Sequence, residues 1–259
     1  MRAFAILVLA ASLGASAAAE PIQLSGTIGA LPVFLDLSHT GDTISGWYFY
    51  MKVGKELRLG GKLDHNGFFQ LEEYTAGSNT RTGSFSGRVQ NGHWSGTWRN
   101  AAGRKPLAVE LGEVRGRLAE LNGRFKCSYR HRDAQFGYTY THRIDLALAK
   151  GRVARLSLFR SEKGDGGEDQ NCQIDLGDLK QARAETGILL RARGDRADGE
   201  QHCTIRILPA GDYLVIKTGD PGQNGDDCRA AGDAMFCSPR SFWADLIVNR
   251  NTQTCRSVQ

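Results

Sequence analysis

The feature that most constrains the fold is a repeated alternation of apolar and polar residues in short runs that end at glycine-containing turns. Leu107, Val109 and Leu111, for example, alternate with smaller or polar residues. Asn91-Gly92 is one of several turn sequences that supply the positive backbone angles of tight hairpins. Runs of this kind recur about every 8 to 12 residues, as expected for an all-β domain. They predict a small antiparallel β-barrel or sandwich over residues 20–112.

The cysteines divide the chain into two parts, because none lies between residues 21 and 126. An even number of cysteines in an exported chain indicates disulfides. A zinc site is not favoured, since the closest pair, Cys228 and Cys237, lacks the C-x-x-C spacing of zinc ligands. Sequence alone leaves the pairing open, and our nested prediction is Cys127 with Cys255, Cys172 with Cys203, and Cys228 with Cys237.

Residues 118–259 are predicted to form a second, disulfide-stapled β-rich domain. Alternating runs such as Ile144 to Leu148 place charged residues on one side of each strand, so one face should be exposed to water. Ser238-Pro239 has the pattern of a helix start. It predicts a short C-terminal helix with one apolar side, formed by Phe242, Trp243, Leu246 and Ile247. The fold class is therefore mainly β, with this helix near the end.

The first 19 residues have the features of a secretory signal peptide. Arg2 gives a positive start, residues 3–13 are almost wholly apolar, and Ala17-Ala18-Ala19 offers small residues for cleavage. The apolar stretch is shorter than the roughly 20 residues that span a bilayer. We expect cleavage to leave a chain with no transmembrane segment, in the periplasm or secreted.

Charge narrows the range of partners. The chain carries 33 basic and 28 acidic residues, and the formal net charge of +5 is too dispersed in the sequence to predict nucleic-acid binding. The densest patch of positive charge comprises Arg124, Lys126, Arg130, His131, Arg132 and Arg143. Of these, Arg124, Lys126 and Arg130 fall on alternate strand positions and could share an exposed face. The candidate binding residues of this basic patch are Arg124, Lys126, Arg130 and Arg132. It predicts attraction to an anionic polymer or to a protein partner in the cell envelope, with solubility as the alternative.

Aromatic residues concentrate in residues 46–98. The strings Gly46-Trp47-Tyr48-Phe49-Tyr50 and Gly96-Thr97-Trp98 resemble hairpin patterns of uncharacterised exported bacterial β-barrel proteins, and more distantly those of lipocalin-like and avidin-like barrels. The resemblance implies a barrel, but the polar ligand positions of avidins do not map onto this chain. The candidate ligand-binding aromatics are Trp47, Tyr48, Trp94 and Trp98. The alternative interpretation is that these aromatics simply fill the barrel.

No sequence motif identifies a reaction centre. The chain lacks phosphate-binding glycine loops, G-x-S-x-G and H-E-x-x-H. His131 lies in a charged segment that resembles a solvated loop, and no histidine pair has metal-ligand spacing on one predicted face. Glu72 and Glu73 should point to opposite faces of a strand. We therefore predict no catalytic residue, metal or cofactor.

These observations favour an exported, non-enzymatic binding protein. The leading hypothesis is that it blocks an envelope-attacking enzyme such as a lysozyme or a toxin, because rigid, polar loops suit insertion into a cleft. One alternative is a small-ligand or glycan binder that uses the barrel aromatics. Another is a hydrolase of unknown type, because catalytic groups can meet in space without a sequence motif.

Overall fold

The computed structural model describes residues 20–103, 105–114, 121–133, 137–164, 170–182, 187–192, 204–218 and 245–258. Within these ranges the chain is built from β-strands in two units. The predicted signal peptide, residues 1–19, lies outside them.

The first unit is a closed antiparallel barrel of eight strands. Each strand pairs with the next along the chain, and β1 pairs with both β2 and β8, so the sheet closes on itself. Asn91 and Gly92 both have positive φ, 52° and 77°, as the predicted tight turn requires. The strands are β1 (Glu20–Ile28), β2 (Leu31–Thr40), β3 (Thr43–Tyr50), β4 (Glu56–Leu63), β5 (Phe68–Thr75), β6 (Arg81–Gln90), β7 (His93–Asn100) and β8 (Leu107–Glu113).

Alternate residues of these strands fill the barrel interior. Leu35, Leu59 and Leu111 are almost fully buried there, together with aromatic rings such as Phe85 and Trp94. Gly87 and Gly96 face each other on β6 and β7, and a Cβ on either would meet the backbone of the other strand. Glycine is therefore required at both positions of this pair.

The second unit contains a four-stranded and a six-stranded antiparallel sheet. The first sheet has the order β12-β11-β10-β9, and the second runs from β13 to β18 in chain order. The four-stranded sheet comprises β9 (Gly123–Arg132), β10 (Thr139–Ala149), β11 (Arg152–Lys163) and β12 (Gln170–Asp175). The six-stranded sheet comprises β13 (Leu179–Ala182), β14 (Ile188–Ala192), β15 (Thr204–Ala210), β16 (Tyr213–Thr218), β17 (Leu246–Asn249) and β18 (Cys255–Ser257).

One apolar core lies between the two sheets. Leu146 and Leu158 of the four-stranded sheet share it with Ile207, Leu214 and Val248 of the six-stranded sheet. Cys127 on β9 and Cys255 on β18 form the predicted disulfide beside this core, with Cα atoms 5.8 Å apart. The predicted pairs Cys172–Cys203 and Cys228–Cys237 lie outside the residues whose side chains are described.

The predicted C-terminal helix is wrong where the structure describes it. Leu246 and Ile247 lie in strand β17, which pairs with β16. Leu246 faces the core between the sheets, whereas Ile247 faces the barrel. A run of three apolar residues, Leu246 to Val248, fits either a helix or a strand, and pairing with the buried strand β16 decides the outcome. Ser238-Pro239, Phe242 and Trp243 lie outside the described residues.

A second apolar layer joins the two units. Phe34, Phe49 and Met51 on the outside of the barrel share it with Val215 and Ile247 of the six-stranded sheet. An ion pair between Lys217 and Asp36, both almost fully buried, adds a polar link. The outer face of the six-stranded sheet is thus covered by the barrel.

Candidate functional site

The outer face of the four-stranded sheet collects most of the basic residues predicted as a patch. Alternate residues of β9 are exposed, which places Arg124, Lys126, Arg130 and Arg132 side by side along one strand. Arg143 on β10 pairs with Ser128 of β9, and β11 adds Arg152, Arg155 and Lys163 to the same side. We call this surface the basic face; its charged residues are Arg124, Lys126, Arg130, Arg132, Arg143, Arg152, Arg155, Lys163, Asp145 and Asp175.

The basic face carries a net charge about as large as that of the whole chain. Its eight basic and two acidic residues give a formal excess of +6, against an excess of +5 from 33 basic and 28 acidic residues in the full sequence. The rest of the chain, with 25 basic and 26 acidic residues, is therefore close to neutral. A charge that looks dispersed along the sequence is concentrated on one sheet face in the fold.

Asp145 is held between two arginines near one end of this face. Arg124 donates hydrogen bonds to its two carboxylate oxygens at 3.0 and 2.9 Å, and the Arg155 Nε lies 3.0 Å from Oδ2. The hydrogen bonds from Arg124, with the nearby charges of Arg155 and Lys126, lower the pKa of Asp145 below its ordinary value. Asp145 stays ionised and orients these two arginines, while Lys126, Arg130 and Arg143 continue the positive surface beyond it.

An open groove of about 550 Å³ crosses the middle of the basic face. The row Ser128, Arg143, Phe159 and Gln173 runs across all four strands beneath it. The Arg143 guanidinium carbon lies 5.0 Å from the centre of the Phe159 ring. Gln173 donates from its amide nitrogen to Asp175 at 2.8 Å, which orients the side-chain amide. The groove therefore offers cations, hydroxyls, an oriented amide and one aromatic ring.

The predicted barrel aromatics do not form one site. Trp47 lies outside the barrel, where its ring stacks on Phe49 at 5.7 Å and the Lys217 ammonium lies 4.5 Å from its centre. Tyr48 and Trp98 lie inside, near one buried carboxylate. Trp94 is also inside, but it packs against Phe69. The alternation of β3 thus separates Trp47 from Tyr48, as the alternating pattern predicts.

That buried carboxylate belongs to Glu73, which is 3% exposed. It accepts hydrogen bonds from Tyr48 Oη, from Thr82 Oγ1 at 2.5 Å, and from Trp98 Nε1 at 2.8 Å. Burial, followed by the negative charge of Glu73, raises the pKa of Tyr48, which keeps this hydroxyl a donor. Glu72 points to the outside and pairs with Arg81, so the two neighbouring carboxylates face opposite ways.

Sequence reasoning missed a cluster of titratable residues on the inner face of the four-stranded sheet. His131 lies on β9, not in a solvated loop, with ring centres 5.4 Å from Tyr129, 5.0 Å from Tyr140 and 5.9 Å from His142. His131 and His142 do share a face, but no group of three potential metal ligands occurs in the described part of the chain. We call this group the histidine cluster; it comprises Tyr129, His131, Tyr140, His142, Arg160 and Glu162.

The histidine cluster favours neutral imidazoles. Burial, with the positive charge of Arg160, lowers the pKa of His142 to about 3 and also lowers that of His131. Burial lowers the pKa of Arg160 to about 10, so it stays charged at neutral pH, 4.7 Å from the Tyr140 ring centre. A proton on either histidine would place a second positive charge beside this guanidinium.

Acid should therefore destabilise the second unit through His142. In the unfolded chain an ordinary histidine binds a proton near pH 6.5, whereas in the fold His142 does so only near pH 3. The stabilisation is complete above pH 6.5 and is lost as the pH falls toward 3, because the unfolded state then binds more protons. Urea unfolding at pH 7 and at pH 4 gives the loss of unfolding free energy on acidification. This loss should be about 3 kcal/mol larger for the wild type than for His142→Phe. Equal losses in the two proteins would contradict this account.

No helix among the described residues is long and apolar enough to cross a membrane.

Comparison of the chain with protein-family models, with curated proteins and with solved structures found no match. The candidate site is therefore defined by geometry and charge distribution alone, and it is the basic face.

Proposed function

We propose that this chain is an exported binding protein that holds an anionic polymer on its basic face. The observation that carries the proposal is the concentration of eight basic and only two acidic residues on one exposed sheet face, in a chain whose remaining charges nearly cancel. Such a surface attracts polyanions, and each cation that neutralises an anionic group contributes a salt-dependent term to binding.

The composition of the face favours a polymer over a protein partner. The centres of protein–protein interfaces are poor in charge and rich in aromatic residues. Here the central row carries Ser128, Arg143 and Gln173 around a single ring, Phe159. Single-stranded nucleic acids stack successive bases on several aromatic side chains, and these described rows offer one.

Export and the absence of catalysis are part of the same proposal. The predicted signal peptide would bring the protein to the envelope, where anionic polymers are abundant, and the Cys127–Cys255 disulfide is consistent with an oxidising compartment. Inhibition of an envelope-attacking enzyme stays a prediction, because the polar loops that suggested it lie mainly outside the described residues. The alternative of a hydrolase also stays a prediction.

Charge reversal on the basic face tests the proposal. We expect residues 20–259 to bind polygalacturonate, heparin and poly-L-glutamate in calorimetric titrations at low salt. The triple variant Lys126→Glu, Arg130→Glu and Arg143→Glu should weaken binding by about 100-fold. The negative slope of log K against log salt should become shallower by about 2 to 3.

The barrel provides a control with the same change in net charge. Lys62→Glu, Arg88→Glu and Arg99→Glu replace three exposed cations that lie away from the basic face. This variant should bind within about 3-fold of the wild type, because it leaves the local field of the face intact. An equal loss in both triple variants, or no binding by the wild type, would refute the proposal.

A further inference from the structure

We infer that the polymer on the basic face is an anionic glycan, and that the central groove recognises one of its sugar rings. This inference rests on the proposed function and adds a substrate class to it. It depends on groups in the groove that charge attraction alone does not need.

The first of these groups is Phe159. It lies on β11 between Arg143 of β10 and Gln173 of β12, and it is the one aromatic ring that lines the groove. A polyanion without an apolar surface gains nothing from an aromatic ring at this position. A pyranose ring has an apolar face of C–H groups, and this face packs on an aromatic ring while the hydroxyls point sideways.

The groups around Phe159 suit those hydroxyls. Ser128 and Ser157 can each donate and accept hydrogen bonds, as sugar hydroxyls do. Gln173 is oriented by its hydrogen bond to Asp175, so little side-chain freedom is lost when it contacts a ligand. Few but well-placed polar groups around an apolar surface are the usual composition of a small-ligand subsite.

The cations then select a sugar that carries an acidic group. Arg143 lies against the Phe159 ring, 5.0 Å from its centre, and Lys126 lines the same groove. The guanidinium lies over the Phe159 ring, where it can form paired hydrogen bonds with a carboxylate or sulfate on a sugar bound at the ring. The groove volume of about 550 Å³ is within the range of small-molecule sites, about 300 to 1,000 Å³.

Adjacent cations extend the site along the chain of the polymer. Successive outward residues of a strand are about 6.8 Å apart, so Lys126 and Arg130 lie about 14 Å from each other on β9. Anionic groups on sugars that flank the central ring could therefore meet cations on either side. The groove would recognise the central sugar ring, and the cations on the rest of the face would attract the anionic groups of the flanking sugars.

Selectivity between two carboxylate polymers tests the inference. Polygalacturonate presents its carboxylates on sugar rings, whereas poly-L-glutamate presents them on a polypeptide. Calorimetric titrations matched in carboxylate concentration and salt should show the wild type preferring polygalacturonate by about 10-fold. Phe159→Ala should reduce that ratio to about 1, with poly-L-glutamate affinity changed by less than about 3-fold, and Phe159→Trp should preserve the ratio.

The barrel again offers a matched control. Phe68 is an exposed aromatic residue on β5, and the Arg88 guanidinium carbon lies 4.1 Å from its ring centre. Phe68→Ala removes a similar arginine–aromatic pair and should leave the ratio unchanged. Thermal unfolding of each variant shows whether it is folded at the titration temperature, and Gln173→Ala provides a second, exposed change in the groove that should also lower the ratio.

The outcomes separate this inference from the proposed function. If both polymers bind equally and Phe159→Ala has no selective effect, the glycan inference is wrong while polyanion binding stands. If Phe159→Ala weakens the binding of both polymers equally, the ring stabilises the structure of the basic face and does not contact a sugar. The inference is again overturned. If neither polymer binds the wild type, the proposed function itself fails.

Discussion

Glu73→Met is expected to lower the free energy of unfolding of the barrel by about 4 kcal/mol, because it leaves buried donors without an acceptor. Methionine has nearly the length and volume of glutamate, so the change removes the two oxygens without opening a large cavity. Tyr48, Thr82 and Trp98 all donate to this carboxylate. Urea unfolding followed by tryptophan fluorescence would measure the loss.

The adjacent residue provides the control for Glu73. Glu72 is on the same strand but faces solvent, where it pairs with the exposed Arg81. Exposed ion pairs contribute about 0 to 1 kcal/mol, so Glu72→Met should cost no more than that. Adding Tyr48→Phe to Glu73→Met should restore about 1 kcal/mol, since one of the unpaired donors is then removed.

A loss below about 1 kcal/mol for Glu73→Met would show that the carboxylate network does not hold the barrel together. The network also bears on the predicted ligand role of the barrel aromatics. Tyr48 and Trp98 already direct their polar atoms at Glu73. In this structure their hydrogen-bonding capacity is used within the barrel, which favours the interpretation that they fill it.

Local patterns were enough to predict the class of fold and much of the barrel. Side chains alternate along any strand, so the sequence of β3 alone is enough to separate Trp47 and Phe49 on one side from Tyr48 and Tyr50 on the other. Asn91-Gly92 likewise identifies its turn from the sequence alone, because these two residue types readily adopt the positive φ that a tight turn needs. These features depend on neighbours in the sequence, and no knowledge of strand pairing is needed.

The features that were missed depend on pairing between strands. His131 and His142 are 11 positions apart, and they meet because Tyr140 pairs with His131 and Tyr129 pairs with His142 across β9 and β10. The basic face likewise exceeds the predicted patch, since Arg152, Arg155 and Lys163 join it only when β11 lies beside β10. Registers of this kind are set by the whole sheet, so a single strand does not reveal them.

Replacing Cys127 and Cys255 together by alanine is expected to lower the free energy of unfolding of the second unit by about 4 to 5 kcal/mol. The disulfide joins residues that are 128 positions apart, and in the chain-entropy account a loop of this length gives a stabilisation near that value. Urea unfolding of the double variant and of the wild type would measure it. Dithiothreitol should lower the free energy of unfolding of the wild type by at least this amount. The decrease that it causes in the double variant should be about 4 to 5 kcal/mol smaller than the decrease in the wild type.

The two units differ in how their edge strands are held. In the barrel, β1 pairs with β8, so hydrogen bonds close the sheet and leave no unpaired edge. In the second unit, β9 and β18 end their respective sheets, and within the described strands the Cys127–Cys255 bond joins them without a hydrogen-bonded ladder. The barrel is thus closed by hydrogen bonds, and its described residues contain no cysteine. Hydrogen exchange should show faster exchange in β9 and β18 of the double variant, with β1 to β8 unchanged; equal acceleration in the barrel would contradict this division.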